Sequence, residues 1–106
     1  MRFLRSAPGR ERELRDLWRN CFPEDSPAYL DWVMTRKVAP ERARGLEGED
    51  GALLCALHLL PLRLKMRGKE MDWPFVSGAG TFPRFRKRGY MNDLLRLTFE
   101  EQREAG

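Results

Sequence analysis

Residues 79–95 read AGTFPRFRKRGYMNDLL. Small residues close a strand, Pro83 breaks it, and Arg84, Arg86, Lys87 and Arg88 crowd around Phe85. Gly89 follows, and then Met91, Leu94, Leu95 and Thr98 fall on one side of a helix opening near Arg88. A helix N-terminus presents unpaired backbone N–H groups and the positive end of the helix dipole, so it attracts anions. Gly89 lets an anion approach the backbone closely, and Arg86, Lys87 and Arg88 add mobile positive charge around it. Upstream, Ser77-Gly78-Ala79-Gly80-Thr81 is a strand edge almost bare of side chains, along which an extended polar ligand could lie. A diphosphate joined to a long thin arm fits both features, and coenzyme A has that shape.

The segments before this junction supply a surface for it. Met1 to Arg5 reads as a short strand, and Leu14, Leu17, Trp18, Cys21 and Phe22 give a helical stripe that Pro23 ends. Ser26 caps a second helix with Pro27 at its first position, burying Leu30, Val33, Met34 and Tyr29 and stopping before Pro40. Arg44 to Glu49 is a strand, and Glu49-Asp50-Gly51 turns the chain into a long strand, Ala52 to Arg67. The middle of that strand, LLCALHLL, is apolar on both sides, as expected of a strand covered by helices on both faces. Pro61 cannot donate to the ladder and predicts a bulge or bend. Beyond it Leu62, Leu64 and Met66 alternate with Arg63, Lys65 and Arg67; Gly68-Lys69 turns again, and Met71, Trp73 and Phe75 alternate on a last strand running to Phe82. The order predicts an α+β fold: strand, two short helices, a three-stranded antiparallel meander and a final helix.

The bulk composition bounds the function. The chain has 106 residues, enough for one small domain, with 42% hydrophobic and 34% charged residues, which excludes a disordered tail. A net charge of +4 favours an anionic partner without naming one. Ala52 to Leu60, the longest apolar run, is too short to span a bilayer. Cys21 and Cys55 sit in apolar patterns with no leader sequence before them, which predicts reduced thiols and a cytoplasmic location.

The run from Ala79 to Leu95 resembles motif A of the GNAT superfamily of N-acetyltransferases. That motif has Gln/Arg-x-x-Gly-x-Gly/Ala between a strand and a helix, and here it stands as Arg86-x-x-Gly89-x-Met91. Met91 departs from the small residue, as it does in acetyltransferases of the enhanced-intracellular-survival type. The Leu-Trp-x-x-Cys-Phe helix, Tyr29-Leu30 and the hairpin at Arg67-Gly68-Lys69 are similar to that branch too. The resemblance implies acetyl-CoA as co-substrate and an amine as acceptor. It gives backbone groups of Ala79, Gly80 and Thr81 to the pantetheine arm and the acetyl carbonyl. The pyrophosphate falls to the stretch from Arg86 through Lys87, Arg88, Gly89, Tyr90 and Met91 to Asn92. Complete family members continue past this helix with a further strand that walls the cleft and often carries a catalytic tyrosine. Residues 1–106 are therefore expected to be the front half of one such domain, weak or inactive alone. Its Phe75 to Phe82 edge is expected to pair with a second copy.

No catalytic residue and no metal set stands out. His58 reads as a core imidazole, Cys21 and Cys55 as packing thiols, and Trp18, Trp32 and Trp73 as core-facing rings. A module binding nucleic-acid phosphates through RFRKRG is the alternative from another class, with a structural or assembly domain as the third. The sequence disfavours nucleic acid, because the arginines lie on one short loop with neither an aromatic platform nor a reading helix.

Overall fold

The computed structural model describes residues 1–105, and at positions 61, 62, 64, 66, 71–74 and 105 it describes the backbone alone. The expected facings of Leu62, Leu64, Met66, Met71 and Trp73 thus lie outside the described residues. Four strands form one antiparallel sheet in the order β1 (Arg2–Leu4), β2 (Ala43–Glu47), β3 (Leu53–Met66) and β4 (Lys69–Thr81). Helices α1 (Glu11–Cys21), α2 (Pro27–Arg36) and α3 (Tyr90–Ala105) complete the expected α+β order.

Local chemistry explains most of these bounds. In α1 the buried residues are Leu14, Leu17 and Trp18, as the stripe predicts. Ser26 Oγ accepts the Tyr29 N–H at 3.1 Å and Pro27 opens α2, so the capping signal works as read. Gly51, at φ +84°, makes the β2–β3 turn, whose Gly48 N–H donates to Ala52 C=O at 2.9 Å. Trp32 corrects the sequence: it is 48% exposed beside Tyr29, which is 47% exposed, because only Leu30 and Val33 of α2 are fully buried. Lys37 covers the outer ring face of Trp32, with Nζ 5.3 Å from its centroid.

The first half of β3, Leu53 to Leu59, is buried on both faces. Leu53 and Ala56 pack with Leu14 and Leu17 of α1, while Leu46, Cys55, Leu57 and Leu59 pack with Leu94 of α3. Trp18, Leu30, Val33 and Val38 form a third cluster, against which Leu60 packs. Burial pushes the Cys55 thiol up to about 12, so it stays protonated and serves packing.

Pro61 makes no bulge. It sits opposite Pro74 in continuous register, where neither residue is asked for an N–H. The β3–β4 register shifts instead between Ala56 and His58, which face Gly80 and Ser77. Gly78 and Ala79 thus share the place opposite Leu57, a β-bulge with Gly78 at φ +61°.

α3 is tied to the sheet by charge as well as by Leu94. Arg44 Nε donates to Glu101 Oε1 at 2.6 Å, and the two side chains are only 13% and 14% exposed. Removing one partner leaves the other charge half-buried and unpaired, so Glu101→Ala is expected to cost about 2–3 kcal/mol. Urea unfolding should show a midpoint lowered by roughly 1–2 M at unchanged slope. A midpoint equal to the wild type would refute the tie.

Candidate functional site

Where β4 ends, the chain passes through a short 3-10 turn, Pro83–Phe85, before α3. A half-open cleft of about 230 Å³ lies there, lined by Thr81, Phe85, Arg86, Lys87, Gly89, Tyr90, Met91 and Asn92. Two residues shape its floor through backbone conformation: Lys87 at φ +66° and Gly89 at φ +77° are both left-handed. Such turns point successive N–H groups into one concavity. Gly89 C=O accepts the Asp93 N–H at 3.1 Å, which makes Gly89 the cap of α3. The amides of Gly89, Tyr90, Met91 and Asn92 then have no acceptor within the helix. A Cβ at Gly89 would meet nothing within 4 Å, so glycine is required there for its φ and not for space.

Arg86 is not a mobile charge. Its Nε donates to Thr81 C=O at 3.1 Å and its Nη2 donates to Cys21 Sγ at 3.6 Å. Cys21 donates its S–H to the same Thr81 oxygen at 3.5 Å. Both lone pairs of that carbonyl are therefore engaged, and the Thr81 N–H is the backbone group of this residue that stays open. Beside this site, Phe85 meets Tyr90 edge-on at 6.4 Å and Arg84 lies 4.9 Å over the Phe85 ring. The Lys87 side chain is exposed.

Of the ten residues named from sequence, the cleft gathers Thr81, Arg86, Lys87, Gly89, Tyr90, Met91 and Asn92. Ala79, Gly80 and Arg88 do not line it, and Phe85 does so unannounced. The glycines of the strand edge also have a packing role. A Cβ at Gly78 would lie 2.2 Å from Trp18 Cζ3, and one at Gly80 would lie 2.5 Å from Cys21 Sγ. These glycines let α1 cross β4 closely. Phe82 N–H donates to Leu54 C=O, and antiparallel alternation then turns Gly80 toward β3 and Thr81 toward the open side. Among the described residues β4 is the outermost strand on this side of the sheet.

Residues 5–106 match the family model described as an acetyltransferase (GNAT) domain. The chain belongs to the GNAT acetyltransferase family. No curated protein sequence matches it. Among solved structures, this GNAT chain is similar to a GCN5-related N-acetyltransferase from Anabaena variabilis. The TM-score is 0.81 at 17% identity, over 98% of this chain and 26% of the other. It is similar also to a GNAT family acetyltransferase from Brucella melitensis in complex with acetyl-CoA. There the TM-score is 0.74 at 18% identity, over 99% and 70% of the two chains. Eis1 from Mycobacterium abscessus gives a TM-score of 0.69 at 18% identity, over 97% and 26%. This chain therefore spans about a quarter of the Anabaena and Mycobacterium proteins. At such identities the likeness is one of fold, and the fold is that of GNAT acetyltransferases. Among the described residues no helix is long and apolar enough to cross a membrane, and no cluster of metal-ligating side chains occurs.

Proposed function

We propose that this GNAT chain binds acetyl-CoA at the end of β4 and presents its acetyl group to an amine. The observation that carries the reading is the cleft itself. Two left-handed positions one residue apart, Lys87 and Gly89, stand at the cap of α3 with Arg86 anchored beside them. The residues present fit the diphosphate: the amides of Gly89, Tyr90, Met91 and Asn92 would hold its oxygens, and Arg86 and Lys87 would balance its charge. Open backbone at Ala79 and along the β4 edge would take the pantetheine amides. Bound there, the co-substrate supplies an activated thioester; the acceptor nitrogen forms the new bond to the acetyl carbon and the sulfur leaves. His58 and Cys55 take no part, being buried within the sheet's packed faces.

Support for acetyl-CoA also comes from family membership and from the acetyl-CoA complex among the structural neighbours. Residues 1–106 would form one domain unit that supplies one wall of the cleft. Among the described residues no strand lies beyond the β4 edge, so transfer by residues 1–106 alone should be slow. Amine-dependent release of free CoA at a normal enzyme rate would overturn that expectation. The same open edge is expected to pair with a second copy. Light scattering should show a dimer or larger species, and a clean monomer at high concentration would refute it. Kinship to the enhanced-intracellular-survival branch rests on the Met91 substitution and the Leu-Trp-x-x-Cys-Phe helix.

Thermal shift with CoA, acetyl-CoA and a short oligonucleotide tests the ligand. CoA at about 100-fold over its Kd should add about 2.7 kcal/mol of stability, and the oligonucleotide none. Gly89→Val forces a β-branched side chain into a left-handed backbone, and should abolish the CoA response. Arg86→Ala should weaken CoA binding by roughly 10–100-fold, the worth of a charge-assisted hydrogen bond. Arg88→Ala, outside the cleft, should change it little. Equal losses at Arg86 and Arg88 would mean diffuse attraction rather than a built site.

A further inference from the structure

On the opposite side of the chain's middle strand lies a second cavity, sharing no lining residue with the cleft. It has a volume of about 250 Å³ and is the more enclosed of the two. α1, α2 and β3 frame it: Leu14, Met34, Val38 and Pro40 make its wall apolar, and His58 closes one side. His58 is 3% exposed, and its Nδ1 has no hydrogen-bond partner.

The other polar groups around the cavity are already engaged. Glu11 Oε1 accepts the Gly9 N–H at 3.3 Å, and Arg15 is paired with Asp31. The Thr35 hydroxyl donates to Asp31 C=O at 2.7 Å. Among the described buried side-chain atoms lining this cavity, His58 Nδ1 alone lacks a hydrogen-bond partner. Buried polar atoms in native proteins are nearly always satisfied, by protein or by something bound. A void of about 150 Å³ already admits a benzene-sized molecule, so this one has room to spare.

We propose that this cavity binds a small, mostly apolar molecule carrying a single hydroxyl, with His58 Nδ1 as its hydrogen-bond partner. The wall selects the apolar body. The imidazole selects the hydroxyl, which both donates and accepts and so suits either neutral tautomer of His58. A neutral ligand suits the site, because Arg15 is already paired with Asp31, the Glu11 carboxylate and the Thr35 hydroxyl are already bonded, and Leu14, Met34, Val38 and Pro40 are hydrocarbon.

His58 is the only histidine, so imidazole nitrogen resonances report on it without ambiguity. Phenol and toluene are the probes, alike in size and different in the hydroxyl. Phenol should move the His58 nitrogen resonances saturably at millimolar concentration or below, and toluene should bind at least tenfold more weakly, about the worth of one hydrogen bond. Met34→Trp, which fills the void, should remove the phenol response while the fold and the CoA response persist. Unmoved imidazole resonances at about 10 mM phenol, equal binding of toluene, or phenol shifts confined to other residues would each overturn the proposal. None of these outcomes bears on the CoA cleft, whose ligand is tested separately.

Discussion

Gly78→Ala should lower the stability of this domain by about 4 kcal/mol, the largest loss expected from adding one methyl group. Two costs coincide at this position. The backbone is left-handed at φ +61°, where a Cβ costs roughly 1–2 kcal/mol. The new Cβ would also stand 2.2 Å from Trp18 Cζ3 and 2.7 Å from Cε3, and relieving such overpacking costs about 1–3 kcal/mol. Trp18 has nowhere to go. It is 7% exposed, its Nε1 donates to Asp25 Oδ2 at 3.0 Å, and Phe22 and His58 flank it at 5.4 and 5.6 Å. For a chain this short the thermal midpoint should fall by roughly 20 °C. Gly51→Ala is the matched comparison: its φ is +84° but a Cβ there meets nothing within 4 Å, so only the backbone cost of about 1 kcal/mol applies. In the Gly78→Ala background, Trp18→Leu should recover part of the loss, a coupling that a double-mutant cycle reads directly. If Gly78→Ala proves no worse than Gly51→Ala, α1 does not cross β4 as closely as described.

The same glycine shows where sequence reading stops. Spacing along the chain reveals what an element offers, and so Ser26-Pro27, the Gly51 turn and the two-faced apolar run of β3 were legible from their own residues. What crosses an element is not written in it. Gly78 and Gly80 look like an edge kept bare for a ligand until α1, sixty residues earlier, lays Trp18 and Cys21 against them. Trp32 failed for a related reason. Its spacing from neighbouring apolar residues allows burial, but Leu30 and Val33 are the α2 residues that turn into the cluster with Trp18 and Val38. Pro61 suggested a bulge because its partner, a second proline with no N–H of its own, lay thirteen residues away in the sequence. The cleft was easier, since its lining runs continuously from Thr81 to Asn92. Even so, nothing in RFRKRG separates Arg86, which bonds Thr81 and lines the cleft, from Arg88, which does not line it. The left-handed backbone at Lys87 makes that division, and a lysine gives no hint of it.

His58 should give this domain a steep acid limb that one substitution removes. Burial lowers its pKa from 6.5 to about 4 in the folded chain, with no partner to favour the cation. Charged neighbours around the ring are Glu11 and Arg15 at the cavity, and Arg15 is already held by Asp31. Between pH 6.5 and 4 the unfolded chain binds a proton at this site that the folded chain refuses. Stability therefore rises with pH across that window: the contribution is complete above 6.5 and is lost as pH falls toward 4. Taken over the whole window, the loss is about 3 kcal/mol. Urea titrations from pH 4 to 8 should show it in the wild type and not in His58→Leu, which keeps an apolar side chain of similar bulk in the same place. At pH 5.5, above most carboxylate titration, His58→Leu should gain about 1 kcal/mol on the wild type relative to the difference at pH 8. Direct titration of the lone imidazole gives the folded value independently. Parallel stability curves for the two proteins would mean that His58 meets water or a protein acceptor in solution. The void beside it would then have no claim on a hydroxyl.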